Sequence, residues 1–182
     1  MAVKRRTIYT IGHSTLALED FQSILLDNGI QQLADVRQFP GSRRYPHFNA
    51  DALAQSLKRV GIIYLPLREL GGRRRPNPKS TFNTAWQNPS FRGYADYMQT
   101  PEFRAALKEL ETHARNHPTA IMCAEALPWR CHRSLIADAL IARGWRVLDL
   151  IGHSKPSEHK LTRFAQITRK QVTYPAQQLA LF

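Results

Sequence analysis

The chain has 182 residues, enough for one ordinary domain with a sizeable core, and an apolar content of 43% argues against wholesale disorder. Lys and Arg outnumber Asp and Glu by 26 to 14, a formal charge of +12, which favours nucleic acid, a nucleotide or another polyanion as partner. No apolar run approaches the roughly 18 residues of a membrane span, and Met1 to Arg6 leads into no apolar signal core, so a cytoplasmic protein without a membrane partner is expected.

Arg6 to Ile11 is β-branched and aromatic and predicts the first strand, which ends in Gly12-His13-Ser14. Phe21, Ile24 and Leu25 keep helical spacing between Leu18 and Asn28, with Gly29 as a C-terminal stop. Ile30 to Val36 predicts a second strand, closed by Asp35-Val36-Arg37. A loop rich in Pro, Gly and Arg follows, and Asn49 is placed to cap a helix over Ala50 to Val60. Ile62 to Leu65 predicts a third strand. Pro66 to Pro89 then forms the longest irregular segment, with Gly71-Gly72-Arg73-Arg74-Arg75 inside it. Loops of that length in compact domains are usually functional or mobile.

Helices resume at Phe91 to Met98 and again after Thr100-Pro101-Glu102, which combines an N-cap, a proline and an acid in the first turn. Thr119 to Cys123 predicts strand four, and a helix runs to Arg143 after the polar loop behind it. Trp145 to Ile151 predicts strand five, and Glu158 to Thr168 a last helix. The alternation predicts an α/β, Rossmann-like domain over residues 1–170, with a largely parallel sheet of about five strands and helices on both faces. Residues 171–182 are expected as an extended tail. Under a strand order of 3-2-1-4-5, the sheet reverses between strands one and four. The site then lies between Gly12-His13-Ser14 and the loop from Cys123 to Arg133. Ile11-Gly12-His13-Ser14 recurs as Ile151-Gly152-His153-Ser154, an echo too short to mark a duplication.

Both cysteines of the chain flank that second loop, with Glu125, Arg130, His132 and Arg133 between or beside them. Cys131 stands where a helix begins, and the helix dipole with neighbouring positive charge favours its thiolate. Cys131 is therefore the expected nucleophile, with Glu125 and His13 as acid–base groups. Arg37, Arg43, Arg44, His132 and Arg133 are the expected anion-binding set. A phosphatase loop needs Cys-x5-Arg, and Arg130 lies one residue too far from Cys123. The residue types of Cys123, Cys131, His132 and His13 suit zinc, but Cys-x7-Cys is a poor zinc spacing. A metal-free pocket, with no cofactor, is the preferred reading. Phe39, Tyr45, Phe48, Phe82 and Trp86 interleave with the arginines of the two long loops, as on surfaces that stack the bases of single strands.

The chain ends Gln178-Leu179-Ala180-Leu181-Phe182. This is similar to the pentapeptide by which bacterial repair and replication proteins dock on the DNA sliding clamp. Gln178 suits a pocket rim, Leu179 continues the pattern, and Leu181 and Phe182 suit an apolar pocket.

The motifs Thr10-Ile11-Gly12-His13-Ser14, Asp35-Val36-Arg37, Leu70-Gly71-Gly72, Phe91-Arg92-Gly93-Tyr94-Ala95 and Cys123-Ala124-Glu125 through Cys131-His132-Arg133 resemble those of the domain of unknown function 488 family. The resemblance implies a bacterial α/β domain of enzymatic character, with His13, Arg37, Glu125, Cys131, His132 and Arg133 in its pocket. It names no substrate. The combined expectation is a DNA-associated enzyme acting on nucleic acid or a nucleotide. The alternatives are a non-catalytic basic DNA-binding module and a small-molecule hydrolase or transferase.

Overall fold

The computed structural model describes residues 6–176. Strands β1 (Thr7–Gly12), β2 (Gln32–Asp35), β3 (Ile63–Pro66), β4 (Thr119–Cys123) and β5 (Arg146–Leu150) are parallel. The short β6 (Ser157–Glu158) adds an antiparallel edge. The sheet order is β3-β2-β4-β1-β5-β6, so the fold is α/β and Rossmann-like. This corrects the expected order in one respect: β4 lies between β2 and β1. Its residues Thr119 to Met122 are all buried, as a strand with two neighbours and two covered faces requires. β1 and β4 remain adjacent, with Gly12 opposite Cys123.

Side chains on the strands alternate between two cores. Ile11, Leu33, Ala120 and Met122 pack with Phe21, Ile24 and Leu25 of α1 (Leu18–Asp27) and Leu53 and Leu57 of α2 (Ala50–Arg59). Ile8, Ala34 and Ile121 face the other way. They join Tyr94 and Ala95 of α3 (Pro89–Tyr97), Phe103, Leu107 and Leu110 of α4 (Pro101–Asn116) and Leu135, Ile136 and Leu140 of α5 (Arg133–Ala142). Since α1 and α2 lie on one face and α3 to α5 on the other, the chain leaves β1 and β4 in opposite directions. That divergence opens a crevice at their carboxyl ends. No described helix is long and apolar enough to cross a membrane.

Thr100 caps α4 by accepting from Phe103 N. Asn49 does not cap α2; its side chain accepts from Ser42 N at 2.6 Å and folds the preceding loop instead. The long segment before α3 is anchored. Asp96 accepts from Asn77 N, Ser80 Oγ and Asn83 Nδ2, and Tyr94 donates to the Leu70 carbonyl.

The helix expected over Glu158 to Thr168 is absent. β7 (Gln166–Thr168) and β8 (Gln171–Thr173) form a hairpin instead, with β-branched Ile167, Thr168, Val172 and Thr173 at its paired positions. Its two-residue turn, Arg169-Lys170, has positive φ at both positions, the geometry that matches strand twist. The stretch from residue 171 expected as tail therefore begins inside the fold. Tyr174 is fully buried and donates to Asp138 Oδ2. Residues 178–182 lie outside the described residues.

A buried polar chain runs beneath the hairpin. Thr10 Oγ1 donates to Asp149 at 2.7 Å, His159 Nδ1 lies 2.8 Å from the other Asp149 oxygen, and His159 Nε2 faces Asp138 Oδ1 at 3.8 Å. Burial alone would lower the His159 pKa, but the two carboxylates outweigh it and raise it to about 9. A histidine pKa raised on folding stabilises fully below its unfolded value near 6.5, and the benefit is lost as pH climbs through about 9. Urea unfolding from pH 6 to 10 should therefore show stability falling by on the order of 3 kcal/mol across that window. His159→Gln should flatten most of that fall; an unchanged pH profile would remove His159 as its source.

Candidate active site

Three loops leave the carboxyl ends of β1, β4 and β2, and the backbone laces them together. His13 N donates to Cys123 O, Ser14 N to Ala124 O and Val36 N to Met122 O, at 2.9–3.0 Å. Gly12 permits this approach, because a Cβ there would fall 1.8 Å from the Glu125 carbonyl oxygen. After β4 the chain makes a short turn over Pro128 to Arg130 and then enters α5, with His132 at the cap position. The turn folds Cys131 back over the end of β4, so the seven intervening residues no longer separate the two sulfurs.

Cys123 Sγ, Cys131 Sγ and a His132 ring nitrogen all lie within 4.8 Å of one another. Cys131 Sγ is 3.6 Å from His132 Nδ1. His132 Nε2 lies 3.0 Å from the Val36 carbonyl, which can only accept, so Nε2 carries a proton and donates to it, with Nδ1 turned to the sulfur. Cys131 is held well below the usual thiol range, first by the hydrogen bond from Cys123 and then by His132 and Arg133, against the opposing effect of burial. The same bond, with burial, pushes Cys123 up. Of the two coupled sulfurs, Cys131 is the one that favours the thiolate.

Two adjoining cavities border this cluster. One, of about 220 Å³, is lined by Arg37, Gln38, Phe39, Gly72, Arg73, Cys123, Ala124 and His132. The other, of about 180 Å³, also reaches Gly72, Arg73 and His132 and adds Phe91, Tyr94, Glu125, Arg130 and Cys131. Gly72 and Arg73 come from the long anchored loop, where a Cβ on Gly72 would sit 2.9 Å from His132 Nδ1. Arg73 has a φ of 60° and lies over the Phe39 ring at 5.4 Å. Gln38 was not singled out from the sequence; Gly72, Arg73 and Arg130 stood out there as parts of a glycine- and arginine-rich loop and as a charge beside Cys131, without being assigned to the site.

The expected residues separate in space. Cys131, His132, Arg37 and Glu125 reach the cavities. The Glu125 side chain is exposed and accepts from Leu127 N at 3.3 Å, and only its backbone carbonyl faces the interior. His13 lines neither cavity. It is buried, stacks on Phe48 at 4.2 Å, and its Nδ1 contacts Ser14 O. Burial first, then Arg37, lowers its pKa to about 4, so it is neutral near pH 7 and supports Arg37, whose Nη1 lies 3.4 Å from its Nε2. Arg37 is fixed by Asp35 through Nε at 2.9 Å and Nη2 at 2.6 Å, and Tyr64 donates to the same carboxylate. Arg43 and Arg44 are exposed and line neither cavity; Arg44 lies over Tyr45. Arg133 has no accessible surface, so it holds the loop and presents nothing to an anion in solution. Of the five interleaved aromatics, Phe48 is in the core under α1 and α2 with Tyr45 packed against it, Trp86 packs against the opposite core, and Phe39 and Phe82 stand exposed. Trp129, beside Arg130, is a further exposed ring.

A family model described as "Domain of unknown function DUF488" matches residues 17–140, from the residue before α1 to within α5. It takes in the Arg37 loop, the Gly72-Arg73 loop and the whole cysteine loop. No curated protein and no solved structure matches the chain.

Proposed function

Because the chain belongs to the DUF488 family, a domain of unknown function that brings no reaction with it, we propose its function from its own cleft: an enzyme acting on nucleic acid or a nucleotide, brought to DNA by residues 178–182. The observation that carries this reading is the convergence of Arg37, Arg73 and Arg130 on the cavities that hold Cys131 and His132. Arginine forks suit phosphate oxygens, and a crevice outside the carboxyl ends of a parallel sheet suits a nucleotide. The formal charge of +12 favours a polyanion as partner. In this reading the arginines hold phosphate, and the Cys131 thiolate beside His132 is the reactive group.

Oligonucleotide affinity measured against salt tests it. Log affinity should fall linearly with log salt. Replacing both Arg73 and Arg130 by alanine should weaken single-strand binding and reduce the slope by about 1.4, roughly 0.7 for each phosphate no longer neutralised. A flat salt response, or a double variant equal to the parent, would remove the cleft from nucleic-acid recognition. Binding insensitive to the cleft but steeply salt-dependent would favour a non-catalytic basic surface. Deleting residues 178–182 should leave that affinity unchanged and abolish capture by purified sliding clamp; retained clamp binding would sink the docking half.

A further inference from the structure

We propose that Cys123, Cys131 and His132 form a three-ligand site for zinc, with the fourth coordination position open to the cleft. The proposal rests on the preceding reading that this cleft is the reactive one, and it changes which atom reacts there.

The donor set is two thiols and an imidazole, the soft and borderline ligands zinc prefers. All three donor atoms fall within 4.8 Å of one another. A tetrahedral ion with Zn–S about 2.3 Å and Zn–N about 2.0–2.1 Å separates its sulfur and nitrogen ligands by roughly 3.6 Å. The Cys131 Sγ to His132 Nδ1 distance is 3.6 Å. The imidazole is also prepared from behind. Its Nε2–H is engaged by the Val36 carbonyl at 3.0 Å, the outer-shell contact that fixes the tautomer and orientation of metal-binding histidines.

Position supports the same assignment. Cys123 ends the central strand β4, and Cys131 and His132 immediately precede α5, so all three are held by rigid elements. The spacing that counted against zinc reflects a strand-to-helix loop in place of a zinc knuckle. Cys123 and His132 line one cavity and Cys131 and His132 the other, which leaves the cluster open on the cleft side. Gly72 keeps side-chain atoms away from Nδ1. A site with three protein ligands and an open position belongs to the catalytic class, where water or a substrate oxygen is the fourth ligand.

Loading the site releases the cysteine thiol protons to solvent and replaces three waters of the aquo ion with two S–Zn bonds and one N–Zn bond. Two thiolates balance the two charges of the ion, so the cleft arginines remain available to an anion. With zinc in place, Cys131 is a ligand and the ion is the electrophilic centre.

The full chain, stripped with a chelator and dialysed, should be titrated with zinc alone against a chromogenic competitor, and with cobalt for its absorption spectrum. We expect one ion per chain and the intense charge-transfer and tetrahedral d–d bands of thiolate-bound cobalt. Cys123→Ser and His132→Ala should each weaken binding roughly a hundredfold or more, and His153→Ala should not weaken it. Circular dichroism identifies variants that fail to fold. For any that do, the wild-type chain gives a second reading: one equivalent of zinc should slow alkylation of both cysteines at least about tenfold. Folded wild-type protein without stoichiometric zinc, zinc that survives both ligand substitutions in folded variants, or alkylation unaffected by zinc would each overturn the proposal. Oligonucleotide affinity in the same samples separates the two readings. Zinc binding without oligonucleotide binding removes the nucleic-acid substrate alone, and the converse removes the metal alone.

Discussion

Gly12→Ala should cost about 4 kcal/mol or more of stability, or yield no folded chain, in urea unfolding of the purified protein. A methyl group at that position would lie 1.8 Å from the Glu125 carbonyl oxygen, 2.6 Å from its carbon and 2.8 Å from an Arg133 nitrogen. The first two are backbone atoms in a loop tied to β1 by the His13-to-Cys123 and Ser14-to-Ala124 hydrogen bonds. Neither side of the contact can retreat without breaking those bonds, and retreat would move Cys123 away from Cys131. The cost is steric, because Gly12 is not among the positive-φ residues. Gly144→Ala separates the two causes. Gly144 has φ of 91° and open space around its Cβ position, so alanine there should cost only about 1 kcal/mol of backbone strain. A Gly12→Ala chain as stable as the parent would mean the loops do not meet as described.

How much of this was legible in the sequence follows from what each residue type can report. Phe21, Ile24 and Leu25 spell a helix because burial on one face imposes a period, and the strands read as apolar runs between glycine and charged stops. The insertion of β4 between β2 and β1 was not legible, since inter-strand hydrogen bonds leave no local mark and every buried parallel strand looks alike. The hairpin was missed because Arg169-Lys170 lacks the glycine or asparagine that usually announces such a turn.

The site divides the same way. Cysteine and histidine are few and chemically distinctive, so Cys131 and His132 stood out. Charge alone does not say whether an arginine is solvated, fixed or buried. Arg43, Arg37 and Arg133 turned out to be one of each. Gly72 and Arg73 reach the cleft only through the anchoring of a long loop by Asp96 and Tyr94, contacts made by α3.

Arg133→Met should lower stability by about 3 kcal/mol in the same urea assay. Methionine keeps much of the volume, so the loss would report polar contacts and not a cavity. The guanidinium has no accessible surface. Its Nη2 donates to the Glu125 and Ala126 carbonyls, and its Nη1 reaches Thr10 Oγ1 at 3.4 Å, which itself donates to Asp149. Removing it strands two loop carbonyls in the interior, where each unmade hydrogen bond costs about 1–3 kcal/mol. It also withdraws positive charge from beside Cys131 and Cys123. Arg133→Lys tells these effects apart. Lysine retains the charge but cannot fork between two carbonyls and a hydroxyl. If the guanidinium mainly closes the loop, the lysine chain should be nearly as unstable as the methionine chain. If it mainly offsets the negative sulfur, lysine should restore most of the loss. We expect the first result, because the nearest atoms to the guanidinium are carbonyl oxygens. A methionine chain of unchanged stability would show that the cysteine loop holds its shape without Arg133.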